Sequence, residues 1–134
     1  MRLAALAALL LAIAGCGGQG GGVPDRFSGT WRIADGRAIP IRRVSDRDGR
    51  RAMRALGALP CARRAVYYRA TYFNGLAHMA GCAVGDGRVM RGRFDDNGIR
   101  GTLVQRLVGD DRFVGIVHGD GHAPFRVVAH RIGD

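Results

Sequence analysis

Short runs in which apolar and polar residues alternate occupy most of the chain beyond residue 26. Tight-turn pairs such as Asn74-Gly75 and Asn97-Gly98 separate these runs at even spacing, as in antiparallel β proteins. The predicted strands are residues 27–33, 38–44, 65–73, 76–84, 88–94, 99–108, 113–118 and 125–132. The pattern therefore predicts a mainly β fold, a small antiparallel barrel or sandwich of about seven or eight strands.

One short helix is predicted between the second and third strands. Ser45 is a suitable N-cap, and Asp46 and Asp48 would favour the positive end of the helix dipole. Apolar residues then recur on one face, at Ala52, Met53, Leu56 and Leu59. Pro60 ends the pattern. Because two glycines lower its intrinsic stability, we expect this helix to depend on packing against the sheet.

The register of one hairpin follows from its turn. Asn97-Gly98 is favoured as a two-residue turn between paired strands. This turn sets Met90 opposite Gln105 on a mostly apolar face, and a slip of one residue would exchange the two faces. The other face then carries four arginines, which we call the basic stripe: Arg91, Arg93, Arg100 and Arg106.

The first residues are typical of an export signal. The apolar run from Leu3 to Ala14 suits the core of a secretory signal but is shorter than the roughly 20 residues that span a bilayer. Its end, Ile13-Ala14-Gly15-Cys16, resembles the lipobox of bacterial lipoproteins. That resemblance implies a signal peptide over 1–15, a lipidated Cys16 that begins a glycine-rich tether over 16–25, and a β domain over 26–134. An ordinary signal peptide with a chance cysteine is the alternative.

The resemblance also implies a location. A lipidated Cys16 would anchor the protein in the bacterial cell envelope, because two or more acyl chains hold a protein firmly at a bilayer. Gly17 follows this cysteine rather than Asp, which in enteric-type lipoproteins implies the outer membrane, with the protein facing the periplasm.

The remaining cysteines form an even pair. The chain has three cysteines, and lipidation of Cys16 would leave Cys61 and Cys82 in an oxidising compartment. We expect a structural disulfide between them. A thiol or metal site is the alternative, although the sequence contains no Cys-x-x-Cys.

Trp31 lies in the first predicted strand, within Gly29-Thr30-Trp31. This Gly-x-Trp resembles the lipocalins and the related fatty-acid-binding proteins. The resemblance implies a barrel closed at one end by Trp31 under an arginine from near the last strand, here Arg126 or Arg131, with a small apolar ligand inside. Strand alternation puts Tyr68 and Tyr72 on one face, where they either line such a cavity or belong to the core.

The charge is strongly positive. Every cation is Arg and every anion is Asp, and the net charge is +10. An exported protein rarely meets nucleic acid, so we expect none as a partner; anionic envelope polymers could bind Arg91, Arg93 and Arg100 of the basic stripe. The alternative is that these arginines only solvate the surface.

Catalytic groups are sparse. The chain has no Glu, its serines are Ser28 and Ser45, and its aspartates fall in predicted turns, at the helix start or near the termini. His118, Asp120 and His122 suggest a hairpin tip rather than a metal site. We expect a noncatalytic binding module without metal or cofactor. The alternative is a structural or protein-interaction lipoprotein of the envelope, acting as an inhibitor or assembly accessory.

Overall fold

A computed structural model describes residues 22–134, in which eight antiparallel strands close into a barrel. Each strand pairs with the next along the chain, and the last pairs with the first. The elements are β1 (Gly29–Ile33), β2 (Ala38–Val44), α1 (Asp46–Ala55), β3 (Val66–Tyr72), β4 (Ala77–Ala83), β5 (Val89–Asp96), β6 (Ile99–Leu107), β7 (Arg112–Gly119) and β8 (Phe125–Gly133). The predicted mainly β class is confirmed, as a barrel. The predicted signal peptide and Cys16 lie outside the described residues.

The β5–β6 hairpin has the predicted register. Met90 pairs with Gln105 and Asp96 with Ile99, so Asn97 and Gly98 form the turn. Both turn residues have positive φ, 51° and 94°, as a two-residue turn of this kind requires. Side chains therefore alternate as predicted, with Gln105 facing the barrel interior and the basic stripe on its outer surface.

Within residues 22–134, two separate apolar cores stabilise the fold. The larger core fills the barrel interior and includes Phe27, Trp31 and Phe113, each fully buried. The smaller core lies between α1 and the outer surface of β3 and β4, where Met53 packs with Tyr67. The predicted disulfide between Cys61 and Cys82 is confirmed and lies in this second core.

Helix α1 begins as predicted but ends earlier than expected. The Ser45 side chain accepts a hydrogen bond from the Asp48 amide, 3.2 Å away, and so caps the N-terminus. Leu56 is the C-cap, and Gly57 turns the chain away with φ of 83°. The prediction that Leu59 belongs to the buried face of the helix was wrong, since this side chain is 82% exposed.

Gly49 brings α1 close to the barrel. A Cβ at this position would collide with the Cβ and ring of Tyr67. The outer surface of β3 therefore reaches the helix backbone, and Tyr67 becomes fully buried although it points away from the barrel interior.

Candidate ligand cavity

One end of the barrel is closed by aromatic side chains. Trp31 is fully buried, its ring centroid lies 4.9 Å from that of Phe113, and its Nε1 donates a hydrogen bond to the Phe27 carbonyl at 2.8 Å. Phe27 in turn packs edge-on against Tyr68. These contacts fill the interior at this end with well-packed rings.

Arg131 covers the closed end. Its guanidinium lies 4.3 Å from the Trp31 ring centroid, a cation–π contact. It also donates hydrogen bonds to the carbonyls of Ser28, Arg26 and Asp110. The prediction that an arginine near the last strand covers Trp31 is confirmed for Arg131. Arg126 does not take this role, because it lies opposite Ile116 in the β7–β8 register and on the outer surface of the barrel.

The N-terminal segment crosses the same closed end. The Tyr68 hydroxyl donates to Asp25 at 3.0 Å and accepts from the Arg26 amide at 3.2 Å. Burial raises the pKa of Tyr68 to about 12, and the negative charge of Asp25 acts in the same direction. Burial alone would raise the pKa of Asp25, but hydrogen bonds from Ser28 and Tyr68 outweigh it and hold that pKa below 3.8. Val23 also packs against the interior core, so the chain contacts the barrel from Val23 onward.

The opposite end of the barrel contains a cavity of about 260 Å³ that opens to the surface. Its lining includes Ala34, Asp35 and Arg37 of the β1–β2 connection and the strand-end residues Tyr72, Asp96 and Phe125. Apolar side chains form most of its walls, among them Ile39, Ile41, Phe94, Leu103, Phe113 and Val117. Phe113 thus contacts both the cavity and Trp31, and it separates the open half of the barrel from the closed half.

A charged cluster borders the mouth. Arg37 forms ion pairs with Asp35 at 2.7 Å and with Asp96 at 3.0 Å. Its guanidinium also lies 5.9 Å from the Tyr72 ring centroid. Burial raises the pKa of Tyr72 to about 12, and Asp96 adds to the effect. Both carboxylates pair with Arg37, so the cluster carries one net negative charge, and the neutral phenol of Tyr72 borders the cavity.

Gln105 is the one buried polar side chain within residues 22–134, with 7% of its surface exposed. It lines the cavity, and its Oε1 has no hydrogen-bond partner among these residues. Gln105 was not among the site residues predicted from the sequence. The signal was present, since the hairpin register set this amide on a mostly apolar interior face.

The predicted ligand-binding residues divide among three places. Tyr72 borders the cavity, whereas Trp31 and Tyr68 belong to the closed end and do not line it. The basic stripe lies outside the barrel, next to the C-terminal end of α1. Arg93 donates to the Leu56 carbonyl at 2.8 Å, Arg91 to that of Leu59 at 2.9 Å, and Arg100 to that of Ala55 at 3.1 Å.

The histidines stand apart from the cavity. Asp120, between His118 and His122, pairs with Arg93 at 2.7 Å. In the part of the chain that the structure describes, no group of three His, Cys, Asp or Glu residues is arranged to hold a metal ion. Nor does any helix in that part have the length and apolar character needed to cross a membrane.

No protein-family model matches the chain, and neither the curated proteins nor the solved structures contain a match.

Proposed function

We propose that this protein is a lipid-anchored component of the bacterial cell envelope and that its barrel is a noncatalytic binding module for a small, mainly apolar molecule. The observation that carries the proposal is the asymmetry of the barrel. Trp31 and Arg131 close one end, whereas the other end holds an apolar cavity that opens to solvent. Concave apolar sites with a few polar groups are the usual form of small-molecule sites.

The cavity sets the size of the ligand. Its volume of about 260 Å³ lies just below the range of roughly 300–1,000 Å³ that is usual for drug-sized ligands. The ligand is therefore a compact molecule of one or two rings, or a short acyl or alkyl chain.

The start of the described chain and the mouth lie at opposite ends of the barrel. The described chain begins at the closed end, where Arg26 bonds to Tyr68 and Asp86. A lipid on Cys16 would therefore hold the closed end towards the membrane. The mouth would then exchange ligand with the aqueous periplasm.

The alternative function is docking of another envelope protein. It is supported by Val104 and Ile116, which pair on neighbouring strands of the outer surface and are about half exposed. Such a pair is a small patch by the standard of protein interfaces, so this alternative is weaker. Binding of anionic envelope polymers is supported by the net charge, but three arginines of the basic stripe already hydrogen bond to the end of α1.

The test uses the mature chain with Cys16→Ser, which we call the anchor-free chain. It would be titrated calorimetrically with primary alcohols of increasing length. Because each buried methylene contributes about 0.8 kcal/mol, affinity should rise roughly fourfold per methylene and level off once the cavity is full. Val117→Trp, inside the cavity, should weaken binding, whereas Val104→Trp, on the outer surface of the neighbouring strand, should not. Absence of binding, or equal binding by both variants, would refute the proposal.

A further inference from the structure

The barrel interior contains a hydrogen-bond acceptor that the protein leaves unused. Gln105 faces the cavity, and its buried Oε1 has no partner within residues 22–134. An unpaired buried acceptor is destabilising, whereas an apolar side chain of the same shape avoids that penalty. Leu103 and Leu107 occupy the two flanking interior positions on β6. An amide between these two leucines therefore indicates a role other than stabilising the fold.

The neighbouring strands accommodate this amide. Gly115 pairs with Gln105 across β6 and β7, and a Cβ at Gly115 would lie only 3.1 Å from the Gln105 Cγ. The absent side chain at Gly115 leaves room for the glutamine. On the other side Met90 pairs with Gln105 and offers no strong donor.

The rest of the cavity defines the ligand. Its walls are mostly apolar, and Arg37 at the mouth is already paired with both Asp35 and Asp96. Arg126, which also borders the cavity, pairs with Ile116 on the outer surface. A neutral molecule therefore suits the interior better than an ion, because the charged groups lie at the mouth and the inner walls are mostly apolar.

We propose that the Gln105 amide turns about its last side-chain bond so that Oε1 accepts a hydrogen bond from the ligand, and that the ligand is a small neutral molecule with an apolar body and one hydroxyl or N–H donor. This inference rests on the proposed function of the cavity. In this proposal Gln105 selects ligands that carry a hydrogen-bond donor over hydrocarbons of the same shape, because only a donor can form the hydrogen bond to Oε1.

The test compares two probes of nearly equal shape, indole with its N–H and indene without it. Association constants would be measured by calorimetry for the anchor-free chain and for its Gln105→Met variant, which keeps the length of the side chain but removes the amide. The ratio of the indole constant to the indene constant should fall about tenfold in Gln105→Met. Leu103→Met, at a neighbouring wall position, should keep the wild-type ratio.

The possible outcomes distinguish the proposed role of Gln105 from the proposed ligand-binding function of the cavity. Binding of both probes with the same ratio in wild type and Gln105→Met would overturn the role of Gln105 and leave the cavity as a binding site. Failure of both probes to bind the wild-type chain would overturn both proposals. Thermal unfolding provides the folding control: Gln105→Met should unfold at the same or a higher temperature than wild type, because the unpaired acceptor is gone.

Discussion

Arg93 donates a hydrogen bond from its Nε to the main-chain carbonyl of Leu56, 2.8 Å away, at the C-terminal end of α1. The last carbonyls of a helix have no partner within the helix and carry partial negative charge, so a guanidinium is a favourable partner there. Arg100 makes the same kind of contact with the Ala55 carbonyl, and Arg91 donates to the Leu59 carbonyl, three residues beyond the C-cap. Three arginines of the basic stripe thus attach the end of the helix and the segment that follows it to the outer surface of the barrel.

This attachment predicts a loss of stability when Arg93 is removed. Arg93→Ala deletes the charged donor to Leu56 and the ion pair with Asp120, and we expect the free energy of unfolding to fall by about 1.5–3 kcal/mol. Arg106→Ala is the matched control, because Arg106 is exposed on the same face; its effect should stay within about 0.5 kcal/mol. Urea unfolding measures both. Equal effects of the two substitutions would contradict the attachment.

The closed end of the barrel gives a second prediction, through Arg131. Arg131→Ala removes the cation–π contact with Trp31 and the hydrogen bonds to main-chain carbonyls, and should lower the free energy of unfolding by about 2–4 kcal/mol. Emission from Trp31, the single tryptophan, should also shift to longer wavelength as water reaches the ring. Arg126→Ala, on the same strand but exposed, should change neither quantity. An unshifted emission maximum in Arg131→Ala would argue against the covering role.

Tyr68 and Tyr72 make stability depend on alkaline pH. Burial raises the pKa of each to about 12, above the value near 10 of a tyrosine in an unfolded chain. The stabilisation is fully present below pH 10, where both states keep the proton. Between pH 10 and pH 12 the unfolded state loses protons that the folded state retains, so stability falls as the pH rises.

Urea unfolding at pH 9 and pH 11 measures this fall, and phenolate absorbance follows the ionisation directly. The double variant Tyr68→Phe, Tyr72→Phe should lose less stability over the same interval than wild type. The same decline in both proteins would show that these two phenols are not its source.

The proposed anchor is tested by fractionation of cells. Wild-type protein should sediment with membranes and carry labelled palmitate, because two or more acyl chains bind firmly to a bilayer. Cys16→Ser, exported behind a signal peptide that is cleaved without lipidation, should be recovered in the aqueous fraction. Cys61→Ser serves as a control, since it removes a different cysteine and should leave the label in place. Membrane association of Cys16→Ser would contradict the anchor.

Local signals in the sequence predicted local structure well. The Asn97-Gly98 turn and the alternation around it determine which residues of β5 and β6 face inward, so the hairpin register follows from a short segment. The start of α1 was equally predictable, because Ser45 caps it through a contact three residues away. The end of α1 was missed although Gly57 marks it locally, because the apolar spacing out to Leu59 suggested a longer helix; arginines 37 and 45 residues distant also bond to its last carbonyls.

The cavity itself has no local signal. Tyr68 and Tyr72 occupy the same face of β3, yet only Tyr72 borders the cavity. Tyr68 lies near the start of β3, at the closed end, where Asp25, 43 residues earlier, accepts its hydrogen bond. The boundary between the filled half of the barrel interior and the cavity thus depends on contacts between distant segments. The periodicity of the sequence does not encode such contacts.

The most direct test of a ligand-binding barrel is native mass spectrometry of the anchor-free chain, expressed in its own envelope and purified without detergent. We expect the wild-type protein to carry a small, noncovalently bound ligand, seen as added mass. Val104→Trp should retain this ligand, whereas Val117→Trp should lose it, because the added ring occupies the cavity. If the wild-type protein had the mass of the ligand-free chain, or if Val117→Trp retained as much ligand as wild type, the account of a ligand-binding barrel would be contradicted.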